Sequence, residues 1–294
     1  MAHLISSHGW NHNLHLSNSR VELLITLDVG PRILRFAPLG GPNIFKEFPA
    51  QLGQHGEADW MIRGGHRLWV APEADYCYTP DNAPLSHQIL APNHVVVTST
   101  VNEASGWHTE MEVRLLSDRD EVQLCNRVRA LRDLDLDIAP WALSVMAPGG
   151  TAILPQPPLG SHPEHLLPNR RLILWPYTEW NDPRFSFGRP NLLVRQDAER
   201  GPTKFGLLHR ESWVAYQLGS LLFAKTIAYQ DGANYPDLGV NFELFTNREI
   251  LELESLAPLV RLKKGECAEH HETWVLQQVG HLDWNQTSLL DVLT

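Results

Sequence analysis

Apolar and polar residues alternate along much of this chain with a period of two, the pattern of strands that bury one face. From Val21 the odd positions read Val21, Leu23, Ile25, Leu27 and Val29, with Glu22, Thr26 and Asp28 between them. Gly30-Pro31 then turns the chain into a second run, Arg32 to Phe36, which predicts an opening hairpin. The alternation returns at Val95, Val97, Ser99 and Val101. It is sharpest at Trp107, Thr109, Met111, Val113 and Leu115, opposed by His108, Glu110, Glu112 and Arg114. Ser117-Asp118-Arg119-Asp120 reads as a turn, and Val122, Leu124, Asn126, Val128 and Ala130 resume the pattern. One dry and one wetter face is the habit of antiparallel sheets.

Helical periodicity is scarce, and the 21 prolines and 20 glycines fall about where strands should end. No internal repeat or low-complexity linker interrupts the chain. The Pro-rich stretch from Leu154 to Pro168 reads as a long loop over a sheet rather than a domain boundary. The expectation is one all-β domain over residues 1–294, a large antiparallel β-sandwich with a cleft on one face.

Composition narrows the function. Apolar residues make up 43% of the chain, enough for a sizeable core, and 24 basic against 34 acidic residues give a formal charge of −10. That balance argues against nucleic acid, whose phosphates demand a basic face. No apolar run approaches the ~18 residues of a membrane span, and Met1 to Asn13 contains no apolar leader core. A soluble, cytoplasmic protein without a membrane partner is expected. Cys77, Cys125 and Cys267 are widely spaced and predict reduced thiols. There is no nucleophile elbow, phosphate loop or dinucleotide fingerprint, and no His or Cys spacing that supports zinc. No cofactor and no metal are expected. Nothing in the sequence sets the oligomeric state.

Two segments carry a resemblance. The first is Met61-Ile62-Arg63-Gly64-Gly65-His66-Arg67-Leu68-Trp69-Val70-Ala71-Pro72-Glu73. The second is Leu251-Glu252-Leu253-Glu254-Ser255-Leu256-Ala257-Pro258, followed by Leu262-Lys263-Lys264-Gly265-Glu266 and His271-Glu272-Thr273-Trp274. They resemble the Arg-Gly-Gly segment and the C-terminal signature of the aldose 1-epimerases, the galactose mutarotase-like superfamily, with the first nearest to hexose-6-phosphate mutarotases. Together with Tyr235-Pro236-Asp237 and Asn241-Phe242-Glu243 they look like a branch of that superfamily without a settled activity.

The resemblance implies a carbohydrate ligand and proton transfer at an anomeric centre by a base and an acid. It places Glu254 as the base. Glu252 and Glu254 alternate with Leu251 and Leu253, so both carboxylates share one strand face. The resemblance puts His66 and His87 forward as catalytic histidines, with Arg63, Arg67, Glu73, Trp69, Glu252 and Glu243 as the ligand-binding set. If the first segment is extended, His66 and Arg67 point to opposite faces and one of them meets the cleft. Trp141, Trp175 and Trp180 are further candidate sugar platforms among the ten tryptophans. His162 and His165 read as a solvated loop and His271 as structural.

The central histidine of the family aligns with Ile138 to Met146, where this sequence has none. Two readings follow. An aldose 1-epimerase-like isomerase needs a Glu and a His facing each other across one cleft. A carbohydrate-binding or sensing protein needs arginines and aromatics there without that pair. Lyase or hydrolase chemistry on the same fold is a third, weaker reading.

Overall fold

The alternation folds into strands wherever it is sustained. The structure, a computed structural model, describes residues 2–101, 105–280 and 282–293. In chain order the first strands are β1 (His3–Ser7), β2 (Trp10–Ser17), β3 (Val21–Thr26), β4 (Arg32–Pro38), β5 (His66–Ala71), β6 (Ser86–Ala91) and β7 (His94–Thr98). They are followed by β8 (Trp107–Leu115), β9 (Glu121–Ala130), β10 (Ala139–Val145), β11 (Thr151–Pro155), β12 (Leu172–Leu174), β13 (Phe185–Phe187) and β14 (Asn191–Val194). The last are β15 (Thr203–Leu207), β16 (Trp213–Leu218), β17 (Leu221–Thr226), β18 (Phe242–Thr246), β19 (Leu251–Leu256) and β20 (Cys267–Gln278), before a short helix α1 (Leu289–Leu293).

These strands build two ten-stranded antiparallel sheets. The cleft sheet has the order β1-β2-β3-β4-β5-β10-β19-β18-β15-β12, and the back sheet β13-β14-β11-β16-β17-β20-β9-β8-β7-β6. The opening hairpin forms as β3 against β4, with a bulge between Leu24 and Ile25. The strand read from Trp107 to Leu115 is β8, paired along its length with β9. The Pro-rich stretch after β11 is an exposed loop. Among the described residues no helix is long and apolar enough to cross a membrane.

The core lies between the sheets. Leu14, Ile25, Phe36 and Leu253 of the cleft sheet meet Val97, Met111, Val122 and Phe223 of the back sheet, all fully buried. Phe36, Phe45, Phe223 and Trp274 knit the centre, with neighbouring ring centroids 5.5–6.2 Å apart. Four of these five pairs are edge-to-face, and such pairs add about 0.5–1.5 kcal/mol each beyond the area they bury.

Strand alternation then fixes what the other face of the cleft sheet presents. β10 runs between β5 and β19, β18 follows β19, and β15 follows β18. Leu251 and Leu253 of β19, Phe242 and Leu244 of β18 and Phe205 of β15 all enter the core. Their neighbours Glu252, Glu254, Glu243, Phe245 and Lys204 are thereby turned outward.

Candidate functional site

An open cleft lies on that outward face. Its floor is Arg67 and Trp69 of β5, Trp141 and Leu143 of β10, Glu252 and Glu254 of β19, and Lys204 of β15. Trp60, Glu73, Tyr78 and Tyr177 rise as walls from the loops.

The floor is polar but almost dry. Glu254 is 1% exposed, and its Oε2 accepts from Trp141 Nε1 at 3.0 Å and from Lys204 Nζ at 3.1 Å. Lys204 Nζ also stands 2.7 Å from Glu243 Oε2, the residue opposite Glu254 in register. Beside them Arg67 Nη1 donates to Glu252 Oε1 at 2.7 Å. Both cations lie over aromatic rings: Arg67 4.4 Å from the Trp69 centroid, Lys204 4.5 Å from Trp141 and 4.8 Å from Trp175. Trp60, Trp69, Tyr78 and Trp141 form one aromatic cluster with centroids 5.0–5.9 Å apart.

One lysine serves two buried carboxyl groups here, and that sets the protonation. Desolvation raises the Glu254 carboxyl above the usual range against the pull of Lys204, with Glu252 adding repulsion. Desolvation raises Glu243 well above the usual range, again opposed by Lys204. Burial works against the Lys204 ammonium, yet Glu254 and Glu243 raise its pKa above the ordinary lysine value. The lysine is held in its charged form, and burial favours the neutral form of both carboxyl groups. Burial also pushes the Tyr177 hydroxyl up to about 12.

The structure brings Glu254, Glu252, Arg67, Trp69 and Glu73 to the lining of this cleft, buries Glu243 behind Lys204, and sends the other sequence candidates elsewhere. Arg63 is fully buried away from it. Its guanidinium bonds Glu57 Oε2 at 2.6 Å, Gln51 O at 2.7 Å and Asn82 Oδ1 at 3.0 Å. The reason is backbone conformation: Arg63, Gly64 and Gly65 all have positive φ, so this stretch is a turn and not a strand. A Cβ on Gly64 would lie 2.0 Å from Lys46 O, and one on Gly65 2.3 Å from Ile33 O. The glycines admit the protein's own backbone, not a ligand.

His66 is corrected as well. It is the first residue of β5 and faces the core, with Nδ1 2.9 Å from Ser144 Oγ and its ring edge-on to Trp274. Burial depresses its pKa to about 3. His87 stands exposed on β6, the edge strand of the back sheet, remote from Glu254. Of the further tryptophans, Trp141 lines the cleft and Trp175 carries Lys204, while Trp180 is 81% exposed outside it.

Sequence reading missed Lys204, Trp60 and Tyr177. A signal for Lys204 existed: it is the one charged residue in the strand Thr203-Lys204-Phe205-Gly206-Leu207. Its register beside Glu243 and Glu254 needed the fold. Among the described residues no histidine lines the cleft. Where the family's mid-chain histidine is expected, β10 offers Trp141 and Leu143, the latter directly opposite Glu254.

Two other hollows lie beside Tyr76, Trp107 and His108 and beside Arg171, Tyr229 and Asp237. Among the described residues neither is lined by a buried carboxyl group. Among the described residues, Cys125, Glu269 and His271 gather metal-capable atoms within 4.8 Å. They lie on the outer face of the back sheet, where Cys125 and His271 are register partners. Arg127 already engages Glu269 at 2.8 Å. Chain spacing gives no hint of this group.

No family model and no curated protein matches this chain by sequence. Solved structures do match by shape. A galactose mutarotase-like protein from Lactobacillus casei superposes with a TM-score of 0.58 at 10% identity, covering 90% of this chain and 100% of that one. A galactose mutarotase related enzyme from Lactobacillus acidophilus gives 0.56 at 10% identity, over 92% and 100%. A TPR-domain containing protein from Parabacteroides distasonis gives 0.59 at 11% identity, over 94% of this chain and 48% of that one. Two large antiparallel sheets in this arrangement give the chain the galactose mutarotase-like fold.

Proposed function

We propose that this protein binds an aldose or aldose derivative in the cleft formed by β5, β10, β19, β18 and β15. One observation supports it above all: aromatic walls stand over a floor of buried carboxyl groups and cations. A pyranose has the matching character, with apolar C–H faces for Trp69 and Trp60 and hydroxyls that donate to Glu252 and Glu254. Saturation-transfer NMR with a panel of aldoses tests it. At least one aldose is expected to bind, and Trp69→Ala to weaken it; no binding by any would overturn the proposal.

A second reading, an aldose 1-epimerase-like activity, is favoured by Glu254, a buried carboxyl group on the cleft floor whose pKa desolvation raises. Ring opening needs a base for the anomeric hydroxyl proton and an acid for the ring oxygen. Glu254 suits one role, but among the described residues the cleft has no histidine for the other. Its ammonium, Lys204, is stabilised as a cation and yields its proton reluctantly. Binding without anomer interconversion is therefore the better-supported function.

A further inference from the structure

The charge of the cleft narrows its ligand, on the reading that a sugar binds there. Glu73, Glu252 and Glu254 line it and Glu243 lies beneath Lys204, whereas Arg67 and Lys204 are its cations. Both cations are already engaged, Arg67 with Glu252 at 2.7 Å and Lys204 with Glu243 at 2.7 Å and Glu254 at 3.1 Å. Even with one proton held on the Glu243–Glu254 pair, negative charge is in excess.

Glu73 stands exposed at the rim, with the Tyr78 hydroxyl donating to its Oε1. No described cation lies within 4.0 Å of it, whereas the cleft's other carboxyl groups each have one. Arg63, which the Arg-Gly-Gly resemblance offers to an anionic ligand, is turned away and paired with Glu57 at 2.6 Å.

An anion entering this cleft meets no unpaired cation and is desolvated beside surplus negative charge. A cation is attracted by that surplus, and the faces of Trp60, Trp69 and Tyr78 add to the attraction. We propose that the cleft selects an aldose bearing an ammonium group, a protonated amino sugar, over its neutral parent, and rejects sugar phosphates and sugar acids. Glu73 is the carboxylate that meets the ammonium.

The test is calorimetric titration at pH 6.5 and low salt, where the amine is protonated. Two series are compared: glucosamine, glucose and glucose 6-phosphate, and galactosamine, galactose and galactose 6-phosphate. In the series that binds, the amine is expected to bind about tenfold tighter than the neutral sugar, and the phosphate at least about tenfold weaker. Added salt should shrink both gaps. Glu73→Gln, at an exposed position that leaves the fold intact, should narrow the amine's advantage severalfold. A phosphate that binds best, three ligands that bind alike, or an amine advantage untouched by Glu73→Gln overturns the inference while the sugar-binding proposal stands. Failure of every ligand in both series overturns the inference, and the aldose panel then decides whether the sugar-binding proposal stands.

Discussion

β19 carries polar residues on both of its faces, and the two layers obey opposite rules. Ser255 faces the back sheet, where Lys225 Nζ lies 2.9 Å from Glu272 Oε1 and 3.1 Å from Leu253 O. Ser255 Oγ donates to Glu272 Oε1 at 2.6 Å and lies 2.8 Å from His270 Nε2, and Trp274 Nε1 donates to Glu272 Oε2 at 3.2 Å. One cation meets one carboxylate. Burial keeps both histidines neutral, lowering His66 to about 3 and His270 to about 4. One residue back along the same strand, Glu254 faces the cleft, where carboxyl groups outnumber cations. The inter-sheet layer has its buried charge pair, Lys225 and Glu272, matched within the protein, although His66 Nε2 has no hydrogen-bond partner there. The cleft layer is left unbalanced, as a layer that awaits a ligand would be.

Removing one charge from each layer should expose the difference most strongly. Lys225→Met leaves Glu272 buried without a counter-charge, and should cost about 3–5 kcal/mol in urea unfolding. Lys204→Met should cost clearly less, because Glu243 and Glu254 sit beside an open cleft and take up protons. Equal losses would erase the distinction.

Acid should act next, through the buried histidines: His66 and His270 between the sheets, and His209, bonded to Trp213 O and lowered to about 4 by burial. A histidine in the unfolded chain titrates near 6.5, whereas His66 and His270 take a proton only near 3 and 4. Below about pH 6.5 the unfolded chain therefore binds protons that the folded one refuses. Stability is complete above that pH and falls as pH drops toward 4, by roughly 2 kcal/mol per histidine at pH 5. Glu272, lowered to about 2 because Lys225 and the histidines outweigh its burial, adds to the loss only below its unfolded value of 4.5. The raised carboxyls of the cleft work the other way, since protonating them relieves a buried charge. Urea midpoints that match at pH 7 and pH 5 would contradict this.

Smaller effects sort the sequence candidates. Trp69→Ala removes the ring under Arg67 and should weaken sugar binding about tenfold, read by titration with the best aldose of the panel. His87→Ala, on an exposed edge strand, should change stability by no more than about 0.5 kcal/mol and sugar affinity not at all. A loss of affinity there would return His87 to the site.

Much of the sheet structure was legible because alternation reports burial directly: β3, β4, β8 and β9 begin and end near where the pattern does. The faces of Glu252 and Glu254 followed from the same rule. What the sequence hid is conformation and register. Arg63-Gly64-Gly65 looks like the start of a strand, but positive φ at all three turns Arg63 inward and sets the parity that buries His66. Lys204 and Glu243 come together only because β15 pairs with β18. Spacing along the chain carries no trace of such a contact.

Exchange NMR on one sample decides between a cleft that binds and one that turns over. Purified protein is mixed with the best-binding aldose, and saturation transfer and α-to-β exchange cross-peaks are recorded together. Saturation transfer to the sugar, with exchange no faster than in buffer, is the predicted result. Anomer exchange accelerated by the protein and reduced about 10²–10⁴-fold by Glu254→Gln would contradict it and make Glu254 a catalytic residue.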